Sequence, residues 1–309
     1  MKTVSSEKPL LTSIKGTIEK WFQQANITAI PFGDVKEDCF GKMLRSQLAA
    51  FVLPDDSGKW PSGVQHACAS VELLHTVSLF HDDVVDGATL RRGKPSLWKI
   101  FSQNTAVLFG DILLCEALSR LAASPGARHV KDLLDKGREV CIAEAEQELV
   151  LRGSPCDFNT CVRIARGKTG PLFAFVGLVC GGADKALADA LTEVGYRVGT
   201  AYQLADDIID EQGDEALIGK TLGTDRMRRK YTLAQDGPTP TETIRSYIIE
   251  LCESSHALLK DWPGPQAGLR GFLEQVLYPA CGPAVASRFA LAVPCFSGFR
   301  QSVTINGRP

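Results

Sequence analysis

Apolar residues recur along this chain at helical spacing, and the alternation that marks strands is nearly absent. From Val64 to Val85, apolar positions at Val71, Leu74, Val77, Leu79 and Phe80 follow one another with neither Gly nor Pro between them. A second long run covers Asn104 to Leu121. A third, Val130 to Leu151, carries Glu144, Glu146 and Glu148 on its wetter side. Further helices are predicted over Asp184–Asp210, Pro240–Leu259 and Leu269–Tyr278. Turn chemistry separates them at Pro54–Gly58, Ser124-Pro125-Gly126, Gly153-Ser154-Pro155, Gly181-Gly182 and Pro263-Gly264-Pro265. These breaks have loop length, so one helical domain over residues 1–309 is expected, without repeats or linkers.

Composition narrows the class. The chain has 309 residues, 44% hydrophobic and 23% charged, enough to bury a sizeable core. Its 34 Lys and Arg against 36 Asp and Glu exclude a nucleic-acid binder that relies on overall basicity. Ten cysteines without a CxxC pair form neither a dense disulfide framework nor a zinc site, and suit reduced, mostly buried thiols. No stretch approaches eighteen apolar residues, and Met1–Trp21 mixes Lys with Glu around no apolar centre. A cytoplasmic protein with no membrane span is expected.

The chemistry lies in an echo within the helical pattern. Asp82-Asp83-Val84-Val85-Asp86 and Asp206-Asp207-Ile208-Ile209-Asp210 begin 124 positions apart, and each closes a predicted helix. Positions i and i+4 differ by about 40° of azimuth, so Asp82 stacks beside Asp86 and Asp206 beside Asp210. Like charges there repel, and the helix macrodipole disfavours anions at a C-terminus. One such cluster is explained as a solvated acidic helix end. A matched pair points to something cationic between two helices. Mg²⁺ takes one or two carboxylates and completes its shell with water and phosphate oxygens, so facing triplets suit a metal-bridged diphosphate.

Basic residues stand where phosphates would then lie. Arg91-Arg92-Gly93-Lys94 follows the first triplet, Gly219-Lys220 and Arg229-Lys230 follow the second, and Lys42 and Arg45 are read upstream as one helical face. In Arg166-Gly167-Lys168-Thr169-Gly170-Pro171 the proline removes the donor to the Gly167 carbonyl, and Gly170 is read as loosening the turn. Freed carbonyl oxygens beside an ammonium would favour a carbocation next to a departing diphosphate.

With HDDVVDGATLRRGKPS (81–96), RGKTGPLF (166–173), YQLADDIID (202–210) and GKTLGTD (219–225) in this order, the chain resembles the trans-isoprenyl diphosphate synthases, or polyprenyl synthetases, from about Phe40 to Leu233. The resemblance implies an all-α bundle of roughly a dozen helices around a central cavity, usually as a homodimer. It implies prenyl transfer: an allylic diphosphate ionises, and isopentenyl diphosphate attacks the cation head-to-tail. Asp82, Asp86, Asp206 and Asp210 would ligate Mg²⁺, three ions per site with substrate bound. Arg91, Lys168, Lys220 and Lys230 would hold the allylic diphosphate, and Thr169 and Gln203 would aim an oxygen at the cation. Lys42, Arg45, His75 and Arg92 would bind isopentenyl diphosphate. The sequence departs from the pattern at Phe40-Gly41 (double glycine), Met43 (arginine) and Ser46 (proline), and beyond Tyr278 it matches no motif.

In this family, side chains a turn before the first aspartates form a floor under the growing tail. Val77 and Ser78 are small, with Val71 and Leu74 deeper and Val107–Leu114 opposite, so a geranylgeranyl or longer product is expected. Two other readings are a class I terpene cyclase on the same fold and a catalytically silent partner subunit. Both triplets being intact argues against each.

Overall fold

A computed structural model describes residues 8–24, 41–91, 93–212 and 241–281. The described residues include ten α-helices of four residues or more: α1 (Pro9–Gln24), α2 (Leu44–Val52), α3 (Val64–Asp86), the short α4 (Leu97–Ile100), α5 (Gln103–Ala122), α6 (Val130–Ala145), α7 (Phe158–Gly181), α8 (Lys185–Gln212), α9 (Thr241–Leu258) and α10 (Pro263–Phe272). The all-α expectation holds, and the long periodic runs end within a few residues of their predicted bounds.

The differences have local causes. The run from Val130 closes its α-helix at Ala145 and continues as a π-helical turn, Glu146–Val150. α10 starts at Pro263, six residues before its predicted start, because a first-turn proline lacks only an N–H that the helix does not use. α1 and α4 were not predicted, and α2 was read only as a helical face carrying Lys42 and Arg45. Arg91 lies in a two-stranded hairpin, Leu90–Arg91 against Lys94–Pro95, closed through Gly93 at φ 76°.

The main core runs through α1, α2, α3, α7, α8, α9 and α10, with Phe173, Phe175, Leu191 and Phe272 almost fully buried. α7 and α8 meet backbone to backbone. A Cβ on Gly177 would lie 2.1 Å from the Leu191 carbonyl oxygen, and one on Gly199 would lie 2.7 Å from Gly170 Cα. That corrects the reading of Gly170: α7 is continuous through Pro171, and the glycine is needed for the close approach of α8. No helix among the described residues is long and apolar enough to cross a membrane.

Candidate active site

The first aspartate triplet occupies the last turn of α3. Gly87, at φ 66°, stops the helix, and its N–H and that of Ala88 both reach the Asp83 carbonyl. Ser96 Oγ and Trp98 Nε1 each donate to the Ala88 carbonyl at 2.7 Å and fold the hairpin back over the helix end. Arg91 therefore returns to the triplet. Its Nε lies 2.9 and 2.8 Å from the two carboxylate oxygens of Asp83, and Nη2 lies 2.5 Å from Oδ1. Asp83 is 1% exposed, so this is a charge-assisted fork on a buried anion.

One member of the second triplet, Asp206, acts on the same cation. Burial pulls the Arg91 pKa down, but the hydrogen bonds and charge of Asp83 and the charges of Asp82 and Asp206 raise it above its ordinary value. Three aspartates from two helix ends far apart in sequence thus act on one guanidinium.

Opposite them, Lys168 of α7 donates to Gln147 Oε1 at 2.8 Å and pairs with Glu144 Oε1 at 3.2 Å. Sequence reasoning placed Glu144 on the wetter side of its helix and did not single out Gln147. The available signal was their i, i+3 spacing, which puts both on one face. α6 can present that face to α7 because Gly167 lets Ala143 approach: a Cβ there would lie 2.7 Å from that of Ala143. Asp82 sits between these charges. Burial, Glu144 and Asp86 push its pKa up, Lys168 and Arg91 oppose, and the result is about 7.

Thr169 and Gln203 meet across the α7–α8 contact. The Thr169 hydroxyl donates to Gln203 Oε1 at 2.5 Å, and Gln203 Nε2 donates to Asp207 Oδ1 at 2.8 Å. A carboxylate only accepts, so Asp207 fixes which way the amide points. The Thr169 oxygen keeps its lone pairs. Gln147, Lys168, Gln203 and Asp207 line one cleft, with Cys156, Cys161 and Ile164 behind them.

The other expected half of the site is built differently from its reading as one helical face. α2 begins only at Leu44, and the chain reaches it through Gly41 at φ 36° and Met43 at φ 46°, so Lys42 precedes the helix. Lys42 is exposed, whereas Arg45 is buried. Cys281 ties this region to the second triplet: burial, then the charge of Asp206, raise its thiol, Lys42 lowers it, and it stands at about 12. His75 and Ser78 are half-buried one turn apart on α3, where Ser78 Oγ donates to the His75 carbonyl at 2.8 Å.

Val77 is 4% exposed and packs with Phe109 and Leu113 beside a stacked Phe80–Phe109 pair, so it does not face an open floor. Within Val107–Leu114, Val107, Leu108 and Ile112 turn outward. Arg92, Lys220 and Lys230 lie outside the described residues.

A sequence profile of the polyprenyl synthetases matches residues 37–235. The chain belongs to the polyprenyl synthetase family. It is 36% identical over 173 residues to the geranylgeranyl diphosphate synthase of Mycobacterium tuberculosis, covering 53% of this chain and 49% of that one. To the (2E,6E)-farnesyl diphosphate synthase of Mycobacterium bovis it is 33% identical over 212 residues, 64% of this chain and 56% of that one. The chain thus spans about half the length of the curated relatives it matches. Its fold is similar to the polyprenyl synthase of Caulobacter crescentus complexed with calcium and isoprenyl diphosphate (TM-score 0.71, 24% identity, 85% and 94% of the two chains). It is also similar to the geranyltransferase of Helicobacter pylori complexed with magnesium and isoprenyl diphosphate (TM-score 0.69, 25% identity, 88% and 99%).

Proposed function

We propose that this protein condenses isopentenyl diphosphate head-to-tail with an allylic diphosphate, giving a linear all-trans polyprenyl diphosphate and pyrophosphate. The observation that carries the reading is the Arg91 guanidinium, gripped by Asp83 and acted on by the charges of Asp82 and Asp206. It makes one pocket from two helix ends whose repulsion would otherwise be unexplained.

The side chains fit Mg²⁺. Among the described residues, no group of three or more His, Cys, Asp or Glu is placed to hold a metal ion by itself. Mg²⁺ does not require one, since it binds through one or two carboxylates with phosphate and water filling the rest. Burial, Glu144 and Asp86 push the Asp82 carboxylate up to about 7 against Lys168 and Arg91, and a divalent ion would favour its charged form. Asp82 and Asp86 from α3, and Asp206 and Asp210 from α8, would hold the ions, three with substrate present. Bound there, Mg²⁺ supplies positive charge to the leaving diphosphate.

The remaining work falls to side chains of this protein. Lys168 exchanges Glu144 and Gln147 for phosphate oxygens of the allylic substrate, joined by Arg91, Lys220 and Lys230. The Thr169 oxygen and the Gln203 amide, set by Asp207, place negative dipole at the allylic cation as charge separates. Lys42, Arg45, His75 and Arg92 orient isopentenyl diphosphate so that its double bond faces that cation. The proton lost after attack leaves with the pyrophosphate.

Relatives named for farnesyl, geranylgeranyl, heptaprenyl and nonaprenyl products leave chain length to local residues. Ser78, four residues before Asp82 on the same helical face, leaves room for a geranylgeranyl or longer tail. Ser78→Phe should shorten the product, whereas Val77→Phe strikes a packed cluster and should cost stability. A homodimer is supported by the outward Leu108 and Ile112 on α5 and Leu134 and Ile142 on α6, apolar side chains that a second copy would cover.

The test is incubation of purified protein with Mg²⁺, isopentenyl diphosphate and each allylic starter in turn. A linear prenyl diphosphate two or more isoprene units longer than a geranyl starter is expected. A cyclic hydrocarbon formed without isopentenyl diphosphate would identify a cyclase instead.

A further inference from the structure

Arg45 is an anomaly in the described core. It is 7% exposed, yet its Nε has no hydrogen-bond partner. Removing a cation from water costs several kcal/mol unless something compensates. Two groups do so in part. The guanidinium carbon lies over the ring of Phe173, 5.2 Å from its centroid, and the carboxylate of Glu72 acts on it electrostatically. Neither occupies Nε.

Glu72 is itself 4% exposed, and its Oε1 accepts the backbone N–H of Ser46 at 2.8 Å. That N–H is one of the first-turn donors for which a helix has no internal acceptor. Ser46 can offer it only because it is not proline, which has no N–H. The chain reaches this turn through the left-handed Gly41 and Met43, and Gln47 Nε2 donates to the Lys42 carbonyl at 2.7 Å. A methionine at φ 46° is held there against its own preference. One carboxylate therefore anchors the helix start, and the same carboxylate faces the cation which that helix start carries.

We propose that Glu72 is a positioning residue for isopentenyl diphosphate: it fixes the first turn of α2 and aims Arg45, whose open Nε then takes a diphosphate oxygen. The inference rests on the proposed condensation. It also gives α3 a second task. Glu72 lies ten residues before Asp82 on one unbroken helix, about 15 Å along its axis, so a single rigid element spaces the two diphosphate half-sites.

The decisive variant is Glu72→Gln in the full chain, which keeps an acceptor for the Ser46 N–H and removes the charge. The KM for isopentenyl diphosphate should rise at least tenfold with the allylic KM near wild type, while the melting temperature falls because Arg45 loses its buried countercharge. A change of both KM values together, or of neither, overturns the proposal. If Glu72→Gln does not fold, Glu72→Asp keeps the charge with a shorter reach and should show the same split more weakly. Calorimetric binding of isopentenyl diphosphate in EDTA gives a readout without turnover. Glu72→Gln and Arg45→Gln should each weaken it, and the double variant should be no weaker than the worse single one. Additive losses would disprove the coupling. If the wild type forms no prenyl product but this coupling is seen, the condensation reading fails and the Glu72–Arg45 link stands. Product without coupling sinks the link alone.

Discussion

The two aspartate triplets have the same pattern, DDVVD and DDIID, and opposite surroundings. In both, the first and last residues share a helical face and are partly buried. The middle aspartate is rotated off that face by about 100° and takes a partner of its own. Asp83 grips the Arg91 guanidinium that the hairpin folds back. Asp207 accepts the Gln203 amide one turn earlier on its own helix. One second aspartate anchors a cation and the other orients a dipole. The motif thus divides by azimuth into the pair proposed to hold metal and a single residue that builds the wall of the site.

That division can be broken in graded ways. The largest effect should come from Asp82→Ala or Asp206→Ala, which should lower kcat at least a thousandfold while circular dichroism stays native. Near-normal turnover would remove both from the metal site. Asp83→Asn should act on the fold as well as the rate, costing about 2 kcal/mol of stability by releasing Arg91, read from denaturant midpoints. A variant as stable as the parent would show that the fork contributes little.

Asp82 offers a smaller effect of opposite sign. Its folded pKa of about 7 lies above the ordinary carboxylate value, so the native state holds a proton that the unfolded chain releases. In metal-free protein, stability should fall as pH rises from about 4 to 7 and then level off. Asp82→Asn should therefore be more stable than wild type at pH 8, by about 1 to 2 kcal/mol, while remaining inactive. Added Mg²⁺ should narrow that gap. The smallest effect is expected at Asp207→Asn: Gln203 can then turn its amide, and kcat should drop about tenfold with little change in melting temperature.

Part of the candidate site was legible because its signals are local. The repulsive i, i+4 pairs and the Arg91 that follows Asp86 each concern one helix or one turn, whereas the Gly170–Pro171 kink did not appear because α8 packs against that glycine. Readings failed where a neighbour decided the outcome. Lys42 and Arg45 were read on one face because nothing in their spacing reveals that Met43 turns left-handed before the helix begins. Val77 looked like a floor residue, but its azimuth points to α5 and the Phe80–Phe109 stack. Glu144 looked solvated until α7 brought Lys168 to it.

The long helices, most of their ends and the faces their side chains share were readable along the chain, since these follow from a 3.6-residue repeat and from caps within a few residues. Which faces meet was settled by packing. Glycines at 167, 170, 177 and 199 set how closely α6, α7 and α8 approach, and that distance selects Glu144 for Lys168 and Gln203 for Thr169. Charge pairing falls steeply with separation and burial, so partners across a helix contact are fixed by packing and cannot be read along the chain.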